Sequence, residues 1–381
     1  LTASDNVPVL ERERFAPVER ITTPSGKTVL KYAQNLSGYV SFRVTAHKGQ
    51  RVHITMGETL DDSGELTLRN IQCITKGRPS PLQELDYTCR EGVNEYTPKF
   101  YYGGFQYAQV DTDVEFRTED FTAVAVYSAF EETSKFECSN RLINQFYHNT
   151  LWSLKSNSTD VPTDCPTRER MGWTGDAQVF FRTATFNRDV QTFFNKWMAD
   201  VAAEQYADGA VNGVYPVTHR SRISAGWGDV ATIIPWQHYM AYGDLRMLER
   251  QYPSMKKWVD YITSQTENDL WSKGNSYGDW VFFSYADDKD GRSAVTIRPF
   301  IQQCFYAHSL DLVVRTARLL GRTEDAAKYE ALHKRAVDAF RNEYVTPNGM
   351  LVSDTQTAYT LALMFDLLPE AQRAGAAKRL V

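Results

Sequence analysis

Between Asp160 and Gln178 the chain reads DVPTDCPTRERMGWTGDAQ, and these nineteen residues hold four acids, two arginines, a cysteine and a tryptophan. Pro162 and Pro166 keep the first part extended. Gly172 and Gly175 permit a sharp bend before a helix that Thr174 or Asp176 can cap. The stretch therefore reads as a rigid loop carrying Asp164, Arg168, Glu169, Arg170 and Trp173. Paired carboxylates beside an indole suit cleavage of a glycosidic bond: one protonated acid donates to the leaving oxygen, and one carboxylate activates water. An apolar Trp173 and a second acid favour the protonated donor, whereas Arg168 and Arg170 oppose it, so the sequence leaves the sign open. A salt-bridged tie between helices uses the same residue types.

Two further segments repeat the combination of acid and indole. SAGWGDVATIIPWQHY places Trp227 and Asp229 at a helix start, and SYGDWVFFSYADD places Asp279 and Trp280 in a loop. Taken singly, Asp229 suits an N-cap and Trp280 a core position. Three such loops entering one set of helices suit a sugar cleft, because indoles stack on sugar rings and carboxylates accept from hydroxyls.

The elements that must position these residues change character near Glu131. Residues 1–130 alternate apolar and polar positions, as in TVLKYAQNLSGYVSFRVTAHKGQRVHITMGET, where Val40, Phe42 and Val44 face one way and Ser41, Arg43 and Thr45 the other. KGQ reads as a hairpin turn, DDSGE as another turn, and YTPKFYYGGFQYAQVDTDV as a strand pair around Gly103 and Gly104. FTAVAVYSAF is a final strand. Many short strands with glycine-bearing turns predict an antiparallel β-sandwich over 1–130. Residues 131–381 are helical at period 3.6, over 140–156, 176–186, 189–205, 228–242, 245–265, 297–320, 323–342, 355–367 and 370–381. Leu142, Phe146, Thr150 and Leu154 form one stripe, with Ser139 as its N-cap. This succession predicts a helical toroid whose long early loops carry the site.

Composition narrows the partners. A net charge of −5 over 381 residues argues against nucleic acid, and no run of 18 apolar residues spans a membrane. Aromatics at 13% suit either a large core or a stacking surface. Five cysteines form no CxxC pair, which signals neither a zinc site nor a disulfide framework. Leu1 is not an initiator and no signal peptide is visible, so a secreted, periplasmic or cytoplasmic place in a bacterium stays open, as does the oligomeric state.

DVPTDCPTRERMGWTGDAQ closely resembles the signature of the bacterial α-L-rhamnosidases, inverting glycoside hydrolases with an (α/α)6 barrel. GWGDVATIIPW and YGDW are similar to further family segments in the same order, and the N-terminal strands resemble the sandwich that precedes the barrel. The resemblance implies that Glu169 is the general acid. It places Asp164, Arg168 and Asp176 on the hydroxyls of the terminal sugar, and Trp173, Trp227 and Trp280 around the pocket. Asp229 and Asp279 are assigned to binding beside them. It implies exo-acting hydrolysis of α-L-rhamnosides with no metal or organic cofactor. The chain departs from the family in two ways. Glu169 stands alone where two consecutive acids are common, shortening the loop by one residue. The family's general base, a glutamate on a Trp-Glu segment, is absent, and periodicity gives roughly nine of twelve barrel helices. The expectation is a barrel lacking its C-terminal part, with the base beyond Val381. Other barrel glycosidases or phosphorylases, and a non-catalytic carbohydrate-binding protein, remain alternatives.

Other residues read more simply. His219 suits a loop position that touches substrate or a structural hydrogen bond, and His308 suits packing within its helix. Cys165 suits a small buried role. DDKDGRSA, Asp287–Ala294, lacks the closing glutamate of a calcium loop and reads as a solvated turn. The YYGG glycines let strands bend or pack close.

Overall fold

The computed structural model describes residues 6–75, 77–79, 82–280 and 296–381. Two compact units result, residues 1–172 with 183–193 and residues 173–182 with 194–381. The turn expected over Asp287–Ala294 lies outside the described residues.

The first unit is built on strands β1 (Val9–Phe15), β2 (Pro17–Thr22), β3 (Thr28–Ala46), β4 (Arg51–Gly57), β5 (Thr59–Leu60), β6 (Leu66–Thr67), β7 (Ile74–Thr75), β8 (Arg78–Pro79), β9 (Glu84–Thr88), β10 (Gly92–Tyr96), β11 (Gly103–Thr112) and β12 (Phe121–Ser128). Eight of them form one antiparallel sheet in the order β1-β12-β3-β11-β4-β9, with β2 and β10 also pairing with β3. The long β3 changes partners along its length. Residues 28–32 pair with β2 and residues 28–38 with β11, whereas 38–42 pair with β12 and 42–46 with β10. Gly38 sits at the change, opposite both Gly103 and Ala125. A Cβ there would lie 1.8 Å from the Val124 carbonyl oxygen, so only glycine lets the strands meet.

The alternation expected along β3 holds at its end, where Val40, Phe42 and Val44 enter the core with Phe105 and Phe121. Two local expectations fail. The KGQ turn is not a hairpin, because β11 lies between β3 and β4. The YTPKFYYGG stretch yields β11 but no strand pair, since β10 and β11 each bond to β3 instead of to each other. Helix α1 (Arg141–Ser156) follows, and its N-cap is Asn140, not Ser139; the Asn140 side chain accepts from the amides of Leu142 and Ile143. The stripe expected on α1 is buried only at its end: Leu154 is enclosed, while Leu142 and Phe146 are each 72% exposed.

Helices α2 (Thr174–Asn187), α3 (Gln191–Ala203), α4 (Val230–Tyr242), α5 (Leu245–Ser264), α6 (Arg298–Leu319), α7 (Thr323–Tyr344), α8 (Gln356–Met364) and α9 (Glu370–Leu380) match the helical spans read from periodicity to within a few residues. Within the second unit α4 packs on α5, α6 on α7 and α8 on α9, while α6 also meets α4 and α8. Helix α6 is enclosed along most of its surface, from Phe300 to Ala317, whereas α5 and α7 bury one face each. A helix apolar all round belongs inside and an amphipathic one outside. Helices α4 and α6, enclosed on most sides, are therefore inner helices, each backed by the helix that follows it. Gly243, with φ 65°, ends α4, and Asp244 caps α5 by accepting from the Met247 amide. No helix among the described residues is long and apolar enough to cross a membrane.

Candidate active site

In the first unit the motif opens with a tight hairpin of β13 (Ser158–Thr159) and β14 (Val161–Pro162). Asp160 stands between them at φ 65°, and its amide donates to Ser128 Oγ at 3.1 Å. Asp164 then closes the loop on itself. Its amide donates to the Met171 carbonyl at 3.1 Å, and its Oδ1 accepts from the Met171 amide at 3.0 Å. Two bonds across seven residues make 164–171 a clamped loop, as the prolines and glycines predicted. Pro166 and Thr167 lie on Gly104, where a Cβ would come within 2.6 Å of Thr167 Cγ2. The YYGG glycine thus admits the motif loop, not a neighbouring strand.

Glu169 and Arg168 project from the clamped loop. The Glu169 amide donates to Cys165 Sγ at 3.4 Å, which gives the half-buried thiol a structural role. Arg168 Nε lies 3.8 Å from Glu169 Oε1, with side-chain exposures of 44% and 34%. Arg168 Nη1 donates to the Asn70 carbonyl at 3.0 Å, and Asn70 Nδ2 donates to Glu58 Oε2 at 3.1 Å. Burial raises the Glu58 pKa, against the hydrogen bond from Asn35 and the charge of Arg168. Arg170 has φ 54°, donates from Nε to the Thr167 carbonyl, and stands 5.6 Å from the Tyr102 ring centroid. A guanidinium and a carboxylate are thus held side by side at the loop's surface, an arrangement that suits hydrogen bonding to a polyhydroxylated ligand.

In the second unit the aromatic residues converge on Tyr277. Its ring centroid lies 4.6 Å from Trp227, 5.3 Å from Trp280 and 6.1 Å from Trp173. Trp173 pairs with Val214 in an isolated bridge and sets its ring edge against His219 at 6.3 Å. Helix α2 starts at Thr174, whose hydroxyl donates to the Gly213 carbonyl at 3.2 Å; Asp176 lies in the first turn. Trp227 lies directly over Gly175, where a Cβ would meet the indole at 2.6–2.8 Å. Trp280 is 42% exposed, so it is not a core residue. Asp279 Oδ2 accepts from the buried Thr296 hydroxyl at 2.9 Å.

Asp229 sits differently from its neighbours. It has 0% exposure, and its side chain makes no cap bond to α4. Its oxygens accept from the Gly226 amide at 2.8 Å, Trp258 Nε1 at 2.9 Å and Ser309 Oγ at 2.6 Å. Burial raises its pKa against those three donors. Direct contact with a sugar, expected from its place beside Trp227, finds no open face on this carboxylate.

The structure thus groups Asp164, Arg168 and Glu169 on one loop, and Trp173, Trp227 and Trp280 around one tyrosine. Tyr277 was not singled out from the sequence, although it adjoins the Gly-Asp-Trp pattern. Asn70 and Trp258 carried no local signal, since each acts through a partner remote in sequence. His308, read as packed, stacks on Phe365 with ring centroids 3.9 Å apart.

Comparison with known proteins gives these groups a context. Residues 131–381 match the bacterial alpha-L-rhamnosidase 6 hairpin glycosidase domain, and residues 21–127 match the bacterial alpha-L-rhamnosidase concanavalin-like domain. An alpha-L-rhamnosidase of Formosa agariphila is 38% identical over 98% of this chain and 41% of its own length. One from Streptomyces avermitilis is 35% identical over 96% of this chain and 34% of its own. The crystal structure of native α-L-rhamnosidase from Aspergillus terreus superposes with a TM-score of 0.92 at 35% identity, covering 99% of this chain and 44% of that one. The Streptomyces avermitilis α-L-rhamnosidase complexed with L-rhamnose gives 0.90 at 32% identity, covering 100% and 36%. The chain therefore spans about two-fifths of the length of the curated relatives it matches. The expected fold, an antiparallel β-sandwich followed by an (α/α)6 barrel of the six-hairpin type, is supported as a concanavalin-like β domain followed by a six-hairpin glycosidase domain, and the chain belongs to the bacterial α-L-rhamnosidase family.

Proposed function

We propose that this protein hydrolyses terminal α-L-rhamnosyl residues from glycosides or polysaccharides, acting from the chain end and inverting the anomeric centre. The observation that carries the reading is the clamped loop 164–171, which presents the Glu169 carboxyl beside the Arg168 guanidinium at 3.8 Å. In this reading Glu169 protonates the glycosidic oxygen as the bond to the anomeric carbon breaks, and water attacks the opposite face. Asp164, Arg168 and Asp176 hold sugar hydroxyls. Trp173, Trp227 and Trp280 supply apolar faces, which also suit the 6-methyl group of a deoxy sugar, and Asp279 lies beside them. Asp229, buried and bonded to Gly226, Trp258 and Ser309, is read as supporting the site without touching the sugar. No residue of this chain is assigned as the group that activates water. The 131–381 segment is taken as the catalytic domain and 1–130 as its β partner. Relatives named as α-L-rhamnosidases, one of them solved with L-rhamnose, support the substrate class.

The test is hydrolysis of p-nitrophenyl α-L-rhamnopyranoside and of a natural rhamnosyl disaccharide by the full-length protein and by Glu169→Gln. Turnover by the parent and loss on the order of 10²–10⁴-fold in the variant are expected. The loss is larger on the disaccharide, whose leaving group needs the proton more. Binding of L-rhamnose without turnover would favour a carbohydrate-binding protein instead, and neither binding nor turnover would overturn the reading.

A further inference from the structure

We propose that Asp229 is the positioning residue of the aromatic group: a buried carboxylate that sets Trp227 in place without touching the sugar. The inference rests on Trp227 being part of the sugar site.

A carboxylate without exposed surface is costly to bury unless hydrogen bonds replace its water, and an apolar residue is often the cheaper occupant. What an apolar residue cannot do here is gather donors from three separate elements. Asp229 does so at the start of α4. Trp258 donates to it from α5, Ser309 from α6, and the Gly226 amide from the loop that carries Trp227. Ser309 Oγ also lies 2.7 Å from Thr232 Oγ1, and Thr232 donates to the Asp229 carbonyl at 3.0 Å. Helices α4, α5 and α6 are thereby tied at one point, and that point is two residues from Trp227.

The loop is shaped to reach the tie. Gly226 has φ 81°, where a side chain would be strained. A Cβ on Gly228 would fall 2.3 Å from the Trp258 ring, so only glycine lets Asp229 reach the indole N–H. Gly175 admits the Trp227 indole, and Tyr277 packs against that indole at 4.6 Å between ring centroids. Tyr277 is fastened to the same loop, its amide donating to Ser224 Oγ at 3.0 Å. Trp227 is thus held on a loop tied down by a buried carboxylate two residues away, with an aromatic partner packed against its ring. Such preorganisation is what keeps a pocket wall in register with a bound ring.

A double-mutant cycle in the full-length protein tests this. Asp229→Asn turns one carboxylate oxygen into an N–H₂ that faces a donor. It is expected to lower kcat/KM about tenfold or more while Trp227 is present. In the Trp227→Ala background the same change is expected to cost less than about twofold, because the residue through which it acts is gone. Equal losses in both backgrounds overturn the proposal, since general loosening of the fold lowers activity with or without the indole. Ser309→Ala guards against simple misfolding: it deletes one bond, keeps the carboxylate, and is expected to show the same pattern with a smaller loss. A second readout needs no turnover. The acrylamide quenching contributed by Trp227, obtained by difference against Trp227→Ala, is expected to rise in Asp229→Asn and in Ser309→Ala. An unchanged contribution overturns the proposal even if the protein proves inactive on rhamnosides, an outcome that by itself counts only against the proposed activity.

Discussion

The packing of Trp227 on Gly175 converts into a graded prediction for Gly175→Ala. The added methyl meets Trp227 Cε2 at 2.6 Å, Nε1 at 2.7 Å and Cδ2 at 2.8 Å. Carbon atoms rest at about 3.5–4.0 Å, so the indole has to withdraw by about 1 Å. Misplacement of a positioned group by about 1 Å costs on the order of 10²-fold in rate, or about 2.7 kcal/mol of transition-state stabilisation. Secondary structure works in the opposite direction. Gly175 lies in the first turn of α2, and alanine is the better helix former by up to about 1 kcal/mol. Activity and stability are therefore expected to separate: kcat/KM on an aryl α-L-rhamnoside falls about a hundredfold, while the melting temperature stays within a few degrees of the parent. A variant that keeps activity to within about threefold refutes the claim that Trp227 is held where the ligand needs it. A variant whose loss follows a collapse in melting temperature refutes the separation.

Two further outcomes follow from positions away from the loop. Gly38→Ala sets a methyl 1.8 Å from the Val124 carbonyl oxygen and is expected to destabilise the β unit by about 3 kcal/mol or more in chemical denaturation; a loss under about 1 kcal/mol counts against the assigned strand contact. His308 has its pKa lowered to about 4 by burial, against an unfolded value of about 6.5. The native state resists the proton, so this contribution is intact above pH 6.5 and is lost as pH falls from 6.5 towards 4, by at most about 3 kcal/mol. Urea denaturation at pH 7 and pH 4.5 is expected to show a smaller acid-induced loss for His308→Gln than for the parent, and equal losses refute the burial argument.

The helical half was largely legible because a period of 3.6 survives any arrangement of neighbours. Which side chain caps a helix was less so. Ser139 and Asn140 are both competent, and the choice falls on Asn140, whose oxygen reaches the Leu142 and Ile143 amides. The strands were legible one at a time but not in their pairing. Alternation along β3 says which residues face the core; it does not say that β11 inserts between β3 and β4. The motif loop was legible as rigid, and the bond from Met171 to Asp164 supplies the reason. The least legible part was what stands behind the site. Asp229 looks the same in sequence whether it faces a ligand or a buried indole, and only the positions of Trp258 and Ser309 decide.

The shared strand β3 also has a consequence for how the chain is made. Its nineteen residues, Thr28–Ala46, receive hydrogen bonds from β2, β10, β11 and β12, and the last of these ends at Ser128. A ribosome completes β3 at Ala46, 75 residues before its final partner begins at Phe121. Until then residues 38–42, which β12 will cover, have unpaired backbone on that edge. Such long-range pairing folds slowly and leaves strand edges open to other chains. Expression at high rate should therefore place the burden of aggregation on the β half, and a nascent chain stopped before Phe121 should remain dependent on holding factors.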